Sequence, residues 1–353
     1  MRILVTGGAG FVGSSLALAF KHDNPSAEII AADNLKRRGS ELNLPRLRDA
    51  GIRFEHADIR DPEDLSALGP MDLLLECSAE PSVQAGYSGS PAYLLDTNLR
   101  GTLNCLEAAR RHDAALVFLS TSRVYPIDPL RALPLETENE GLAIPPGAAG
   151  QGWSAYGIAE DFPLDGHRSL YGATKLASEQ FIEEYRAAFG LKAIVNRCGV
   201  LAGPWQMGKV DQGFICLWAA RHLYGGKLSY NGFGGHGHQV RDVLHVADLY
   251  DLLVRQLDDM SVSATGVWNV GGGDTNATSL RRLTGVCTAR AGRELEIAAQ
   301  PDTNPADIPW FVTDARRAMA TFDWAPKRSL DILLDEVFDW LAAERDVLQP
   351  LLS

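Results

Sequence analysis

Tyr171 and Lys175 stand four residues apart near the start of a helix-forming stretch, so their side chains share one helical face with Cβ atoms about 6 Å apart. A hydride-transfer enzyme acting on an alcohol needs a base for the hydroxyl proton, and a tyrosine titrating near about 10 serves only if it is made more acidic. A neighbouring ammonium and a positive nicotinamide ring favour the phenolate; a shift of roughly three units corresponds to about 4 kcal/mol of differential stabilisation. Ser120-Thr121-Ser122 follows an aliphatic run and offers a hydroxyl to the same substrate oxygen, with Thr121 the best of the three; such a cluster is also ordinary turn chemistry. By itself a Tyr-x-x-x-Lys pair is equally a surface feature of an amphipathic helix.

The upstream context gives the pair its meaning. Thr6-Gly7-Gly8-Ala9-Gly10-Phe11-Val12-Gly13 leaves a first strand and opens a helix, the setting in which a glycine pattern becomes a dinucleotide fingerprint. Gly7 or Gly8 makes the tight turn, Gly10 lets the backbone approach a pyrophosphate, Gly13 lets helix and strand pack closely, and the helix N-terminus presents N–H groups to the anion. Asp33 follows about 20 residues later, where a carboxylate accepts from the adenosine ribose hydroxyls and repels a 2′-phosphate, favouring NAD over NADP. Arg37-Arg38 just downstream is either a 2′-phosphate contact or solvated loop charge. Asp58 is a candidate acceptor for the adenine amino group, or a turn residue.

These side chains need elements to position them. Short aliphatic runs predict strands near 2–6, 27–32, 52–56, 72–76, 115–120 and 192–198, with helices at 11–21, 61–67, 91–111 and 171–189. The alternation implies an α/β fold, a doubly wound parallel sheet of βαβ units whose ligands sit beyond the carboxyl ends of the strands. Residues 126–167, with Pro126, Pro129, Pro134, Pro145 and Pro146, are expected to be a long irregular excursion, an active-site lid in function. Beyond residue 199 the pattern is mixed and ends in a helix near 330–344. The expected division is a dinucleotide-binding domain of 1–195 plus about 238–262, and a smaller α/β substrate domain of 196–237 and 263–353.

The 353 residues, 46% hydrophobic and 22% charged, suffice for a large core. A net charge of −12 and the absence of any basic block longer than Lys36-Arg37-Arg38 argue against nucleic acid or an anionic membrane as partner. Apolar runs are short and the chain enters directly into a strand, from which a cytoplasmic location is expected. Cys77, Cys105, Cys198, Cys216 and Cys287 are scattered singly, suggesting buried free thiols and neither a disulfide framework nor a metal site.

Together, Gly7-x-x-Gly10-x-x-Gly13, Asp33-Asn34-Leu35, Ser120-Thr121, Tyr171-x-x-x-Lys175 and Arg241-Asp242-Val243-Leu244-His245-Val246-x-Asp248 resemble the extended short-chain dehydrogenase/reductase family from residue 1 to about 340. Within it, Phe162 to Tyr171, Gly203 to Gly213 and Trp268 to Gly273 are most similar to the CDP-paratose 2-epimerase (CDP-tyvelose epimerase) branch. The resemblance implies a Rossmann fold and an NAD-dependent epimerase that oxidises one sugar carbon of a nucleotide-diphosphate sugar to a ketone and reduces it on the other face, with a CDP-sugar favoured. It implies Thr121, Tyr171 and Lys175 as catalytic residues. It places NAD on Gly7, Gly10, Phe11, Val12, Gly13, Asp33, Asn34, Asp58, Ile59, Ser78, Ala79, Asn98, Tyr171 and Lys175, and substrate on Thr121, Ser122, Gln212 and Arg241. His245 is expected to be a structural hydrogen-bonder. A homodimer is implied through helices including that of Tyr171, with Phe181, Ile182, Tyr185 and Phe189 as the candidate face or, alternatively, internal core.

Some positions depart from the family pattern. Asn304 stands where many relatives have a second phosphate-binding arginine, Val200 and Ala202 replace Asn and Tyr, and Cys77-Ser78-Ala79-Glu80 is an unusual loop. A 4,6-dehydratase would be expected to carry Asp-Glu after the strand-five threonine, and Ser122-Arg123 stands there instead. A UDP-sugar 4-epimerase, a one-way dehydrogenase, and an NAD-binding regulatory protein without turnover remain the alternatives.

Overall fold

The computed structural model describes residues 1–87, 89–209 and 212–352; Val210 and Asp211, within one of the family-like stretches, lie outside the described residues. Seven strands form the main sheet: β1 (Arg2–Thr6), β2 (Glu28–Asp33), β3 (Arg53–His56), β4 (Leu73–Glu76), β5 (Ala115–Thr121), β6 (Ala193–Cys198) and β7 (Val267–Val270). Their order is β7-β6-β5-β4-β1-β2-β3, and the pairings of β1 with β2 and β4, β2 with β3, and β4 with β5 are parallel. The sheet is the doubly wound Rossmann arrangement anticipated, and strand order reverses at β1/β4, where ligands of such sheets bind.

The strands read as near-continuous apolar runs because helices cover both faces. Leu4, Ile30, Leu74, Leu116, Phe118 and Val195 meet in one buried cluster with Cys105, Leu106 and Ile182 from the helices. The first six strands fall within a residue or so of expectation. β7 was missed: Val267-Trp268-Asn269-Val270 is short and carries a central Asn, which the structure buries completely.

The chain divides into two compact units. One comprises 1–124, 169–197 and 249–268; the other comprises 125–168, 198–248 and 269 onward. Compactness therefore groups 125–168 and 238–248 with the second unit, where the sequence-based division had placed both with the first domain. The irregular excursion expected over 126–167 is also corrected. The segment holds a short helix, Ile127–Arg131, and paired strands Glu136–Glu138 with Gly141–Ala143, and Trp153–Ser154 with Ala149–Gly150 and Gly157–Ile158. Ile127, Leu130, Ile158 and Phe162 are buried. Buried Asn269 ties the segment down, accepting from Tyr125 Oη at 2.8 Å and donating to the Ile158 carbonyl at 2.9 Å. The glycines that suggested disorder permit close packing: at Gly157, φ is +128°, and an added Cβ would lie 2.5 Å from the Val312 carbonyl oxygen.

Helix Leu170–Phe189 begins where Ser169 Oγ accepts the Gly172 N–H at 3.1 Å and ends at Gly190, whose φ of 67° stops it. Ile182 is core, Tyr185 donates its hydroxyl to Glu107 at 2.6 Å, and Phe181 and Phe189 are exposed. The four residues thus do not share one fate. Cys105, Cys198, Cys216 and Cys287 are buried and Cys77 is half-buried; among the described residues none of the five forms a disulfide. Burial pushes the Cys216 and Cys287 thiols up to about 12. Among the described residues no helix is long and apolar enough to cross a membrane, and no three metal-ligating side chains cluster.

Candidate active site

The glycine turn joins β1 to helix Phe11–Asp23. Gly7 takes φ of +64°, and a Cβ there would lie 2.7 Å from the Cys77 carbonyl oxygen, so only glycine lets this turn lie against the loop after β4. Gly10 is the N-cap residue and contributes no side chain, which leaves the N–H groups of Phe11, Val12 and Gly13 facing outward from the helix start without intrahelical acceptors. A pyrophosphate would fit this cradle.

Asp33 braces the turn from β2. Its Oδ2 accepts the Ala9 N–H at 3.2 Å and its Oδ1 the Leu35 N–H at 2.8 Å. Burial raises its carboxyl above the ordinary carboxylate value, and those backbone N–H groups partly counter the rise. Buried Asn43, which nothing in the sequence singled out, holds the other side by donating to the Ala9 carbonyl at 2.9 Å. Asp58 is engaged by Arg60 through contacts of 2.6 to 3.0 Å and by Asn34 Nδ2 at 3.0 Å. The Arg60 guanidinium holds its carboxyl down at about 2. Ile59 is buried and fills the space over Gly101.

Asn98 lies in the π-helical stretch Asp96–Arg100, which joins helices Ala92–Leu95 and Gly101–Arg111. It is wholly buried, and its amide accepts the Glu80 N–H at 2.8 Å and donates to the Glu80 carbonyl at 3.0 Å. The structure therefore gives Asn98 the task of holding the loop that carries Ser78 and Ala79, with its amide turned away from solvent.

Thr121 ends β5, nearly buried, and its Oγ1 accepts the Arg123 N–H at 3.2 Å. Ser120 points the other way, to Glu179, which Arg197 clamps with both Nε and Nη2 at 2.7 to 3.1 Å. Ser122 opens a short 3₁₀ turn. One helical turn before Glu179, Lys175 is 2% exposed, donates to the Leu119 carbonyl at 3.0 Å and lies 4.4 Å above the Phe118 ring. Tyr171, a turn earlier again, is half-buried. Tyr171, Lys175 and Glu179 therefore form a line along the face that meets the end of β5. A phenol, a fixed ammonium and a hydroxyl at one strand end are the parts for moving a proton to or from an alcohol.

In the second unit, Arg241 lies on strand Val240–His245. It pairs with Asp307 at 3.0 Å and donates to the Ile308 and Val240 carbonyls at 2.6 and 2.8 Å; its neighbour Asp242 is buried and faces the Gly273 N–H. The ion pair thus joins Arg241 to Asp307. Asn304 shapes a turn, accepting the Ala306 N–H at 2.9 Å. Arg131, unremarked in the sequence, brings a second guanidinium to this turn through the Asp307 and Asn304 carbonyls, each at 3.0 Å. Gln212 is half-buried and exchanges backbone hydrogen bonds with Lys209. His245 accepts the Ala247 N–H at Nδ1 and reaches Glu336 through Nε2, both at 3.0 Å, a structural pairing.

Residues 3–271 match the model of the NAD dependent epimerase/dehydratase family. The CDP-paratose 2-epimerase of Salmonella typhi is 30% identical, covering 97% of this chain and 100% of its own length. The UDP-glucose 4-epimerase of Thermus thermophilus, solved in complex with NAD, is 27% identical over 97% of this chain and 99% of that one, with a TM-score of 0.78. DesIV, a dTDP-glucose 4,6-dehydratase from Streptomyces venezuelae solved with NAD bound, is 26% identical over 99% and 100%, with a TM-score of 0.80.

Proposed function

Because the chain belongs to the NAD-dependent epimerase/dehydratase family, we propose that it epimerises a nucleotide-diphosphate sugar through a transient ketone, at C2 of a CDP-sugar of the paratose/tyvelose type. The relative from Salmonella typhi, matched end to end, supports this substrate. The observation that carries epimerisation over dehydration is Ser122-Arg123 after Thr121: neither side chain can serve as the acid and base that expulsion of a ring hydroxyl needs.

In this reading the first unit holds NAD on the glycine turn, Asp33 and the loop of Ser78 and Ala79, and the second takes the nucleotide sugar, with Gln212 and Arg241 among its contacts. The cofactor supplies a reversible hydride acceptor. Tyr171 accepts the substrate hydroxyl proton as the carbonyl forms and returns it when the alcohol is restored. Lys175, fixed by the Leu119 carbonyl, favours the phenolate by charge. Thr121 Oγ1 hydrogen-bonds the same substrate oxygen. Arg241 suits diphosphate oxygens because a planar fork of donors matches them, with Asp307 released from the guanidinium as they bind. Exposed Phe181 and Phe189 support a homodimer. The location proposed is the cytoplasm.

The likeness to a UDP-glucose 4-epimerase favours C4 inversion as the second reading. Incubation with CDP-paratose, CDP-tyvelose, UDP-glucose and UDP-galactose separately, followed by proton NMR and reduced-cofactor absorbance, separates them. Interconversion of the CDP-sugars without net NADH is expected. Turnover of UDP-sugars alone moves the reaction to C4, and accumulation of NADH makes the protein a one-way dehydrogenase.

A further inference from the structure

Glu76 closes β4 at 1% exposure and has no part in the roles proposed above. In the parallel pairing of β4 with β5 its register partner is Phe118, the ring beneath the Lys175 ammonium; the next residue, Leu119, accepts that ammonium's hydrogen. Partners in register present side chains to the same face of the sheet, so Glu76 lies on the face that Lys175 covers.

The surroundings of the carboxylate are sparse. One oxygen accepts the Thr102 hydroxyl, and Oε2 is buried with no hydrogen-bond partner among the described residues. Facing it are Thr6 of β1, Thr102 and Cys105 of helix Gly101–Arg111, and Lys175 of helix Leu170–Phe189. Burial pushes the Glu76 carboxyl up, and the Lys175 charge opposes that rise. Burial and the Glu76 charge push the Cys105 thiol well up, leaving it neutral. Glu179, one turn further along, is already matched by Arg197. A buried carboxylate needs a counter-charge, and Lys175 is the cation at hand.

We propose that Glu76 is the buried counter-ion of Lys175 and, through it, a positioning residue that sets the field in which the Tyr171 hydroxyl ionises. The inference rests on the roles given above to Tyr171 and Lys175. The carboxylate anchors the ammonium towards the sheet and cancels part of its pull on the phenol.

Two readouts test this on the full chain with NAD bound, neither requiring a known sugar. Glu76→Gln keeps the shape and the acceptor for Thr102 while removing the charge. The Tyr171 ionisation, isolated as the tyrosinate absorbance lost in Tyr171→Phe, should move down by about one unit. The second readout is a thermal-unfolding cycle with Lys175→Met. That change strands the carboxylate and lowers the melting temperature, and adding Glu76→Gln should restore most of the loss. Additive melting shifts would overturn the pairing, and an unmoved Tyr171 would reduce Glu76 to a structural group and overturn the proposal. If both readouts hold while every nucleotide sugar is left unchanged, the epimerase reading fails and the pairing stands.

Discussion

Replacing Gly13 with alanine tests the glycine turn where it has least room. The added Cβ would overlap the Gly7 carbonyl oxygen and lie 2.8 Å from the Gly7 carbonyl carbon and 3.0 Å from the Gly8 Cα. All three are backbone atoms, so no side chain can swing aside, and helix Phe11–Asp23 must retreat from β1 by about an ångström in a close-packed interior. Overpacking of this kind destabilises by about 1–3 kcal/mol. The same retreat carries the Phe11, Val12 and Gly13 N–H groups away from the pyrophosphate position. Loss of one hydrogen bond to a charged group, about 1.5–3 kcal/mol, corresponds to a roughly 10- to 150-fold weaker dissociation constant. Thermal unfolding without ligand measures the first effect, and calorimetric titration of NAD into cofactor-stripped protein the second. A folded Gly13→Ala protein that binds NAD as tightly as its parent would show that the pyrophosphate does not lie on this turn.

Tyr171→Phe should lower epimerisation by at least about 100-fold, read by NMR turnover; full activity would remove the proposed base. Arg197→Met leaves buried Glu179 with the Ser120 hydroxyl but no clamp, and should cost about 3–5 kcal/mol in denaturant unfolding. A loss below about 1 kcal/mol would mean that the Arg197 clamp does not offset the burial of Glu179. Burial pushes Asp242 up to about 6 from 3.8, so the folded protein holds its proton more tightly than the unfolded chain. The resulting stabilisation is full below about pH 4 and is lost as pH rises through about 6. Asp242→Asn should flatten that part of the stability profile, and an unchanged slope would contradict the assignment.

The first strand, glycine turn and Asp33 were legible because their requirements are local: a left-handed turn, a helix start, and a carboxylate at the end of the next strand. The helix bearing Tyr171 and Lys175 was legible for the same reason, with Ser169 and Gly190 marking its ends. The polar residues that hold the site together were not. Asn43 reaches Ala9, 34 residues away; Asn98 reaches Glu80 across 18; Asn269 reaches Tyr125 across 144. In a sequence Asn43 and Asn269 resemble surface polar residues, and Asn98, named there only as a cofactor contact, gives no sign of its tie to Glu80, since only the folded chain decides which polar groups are sealed from water. The segment 126–167 was misjudged in the same way: prolines and glycines report local conformational limits and say nothing of packing onto Asn269 and Val312.

The Asn98 tie touches only backbone atoms of Glu80. The side chains of Ser78 and Ala79 can therefore change while the path of their loop is kept, so these two positions are open to redesign of what they present to a bound molecule. Libraries randomised at Ser78 and Ala79 should yield many folded proteins with altered ligand preference. Replacement of Asn98 itself would release the loop and lower the yield of folded protein across the whole library.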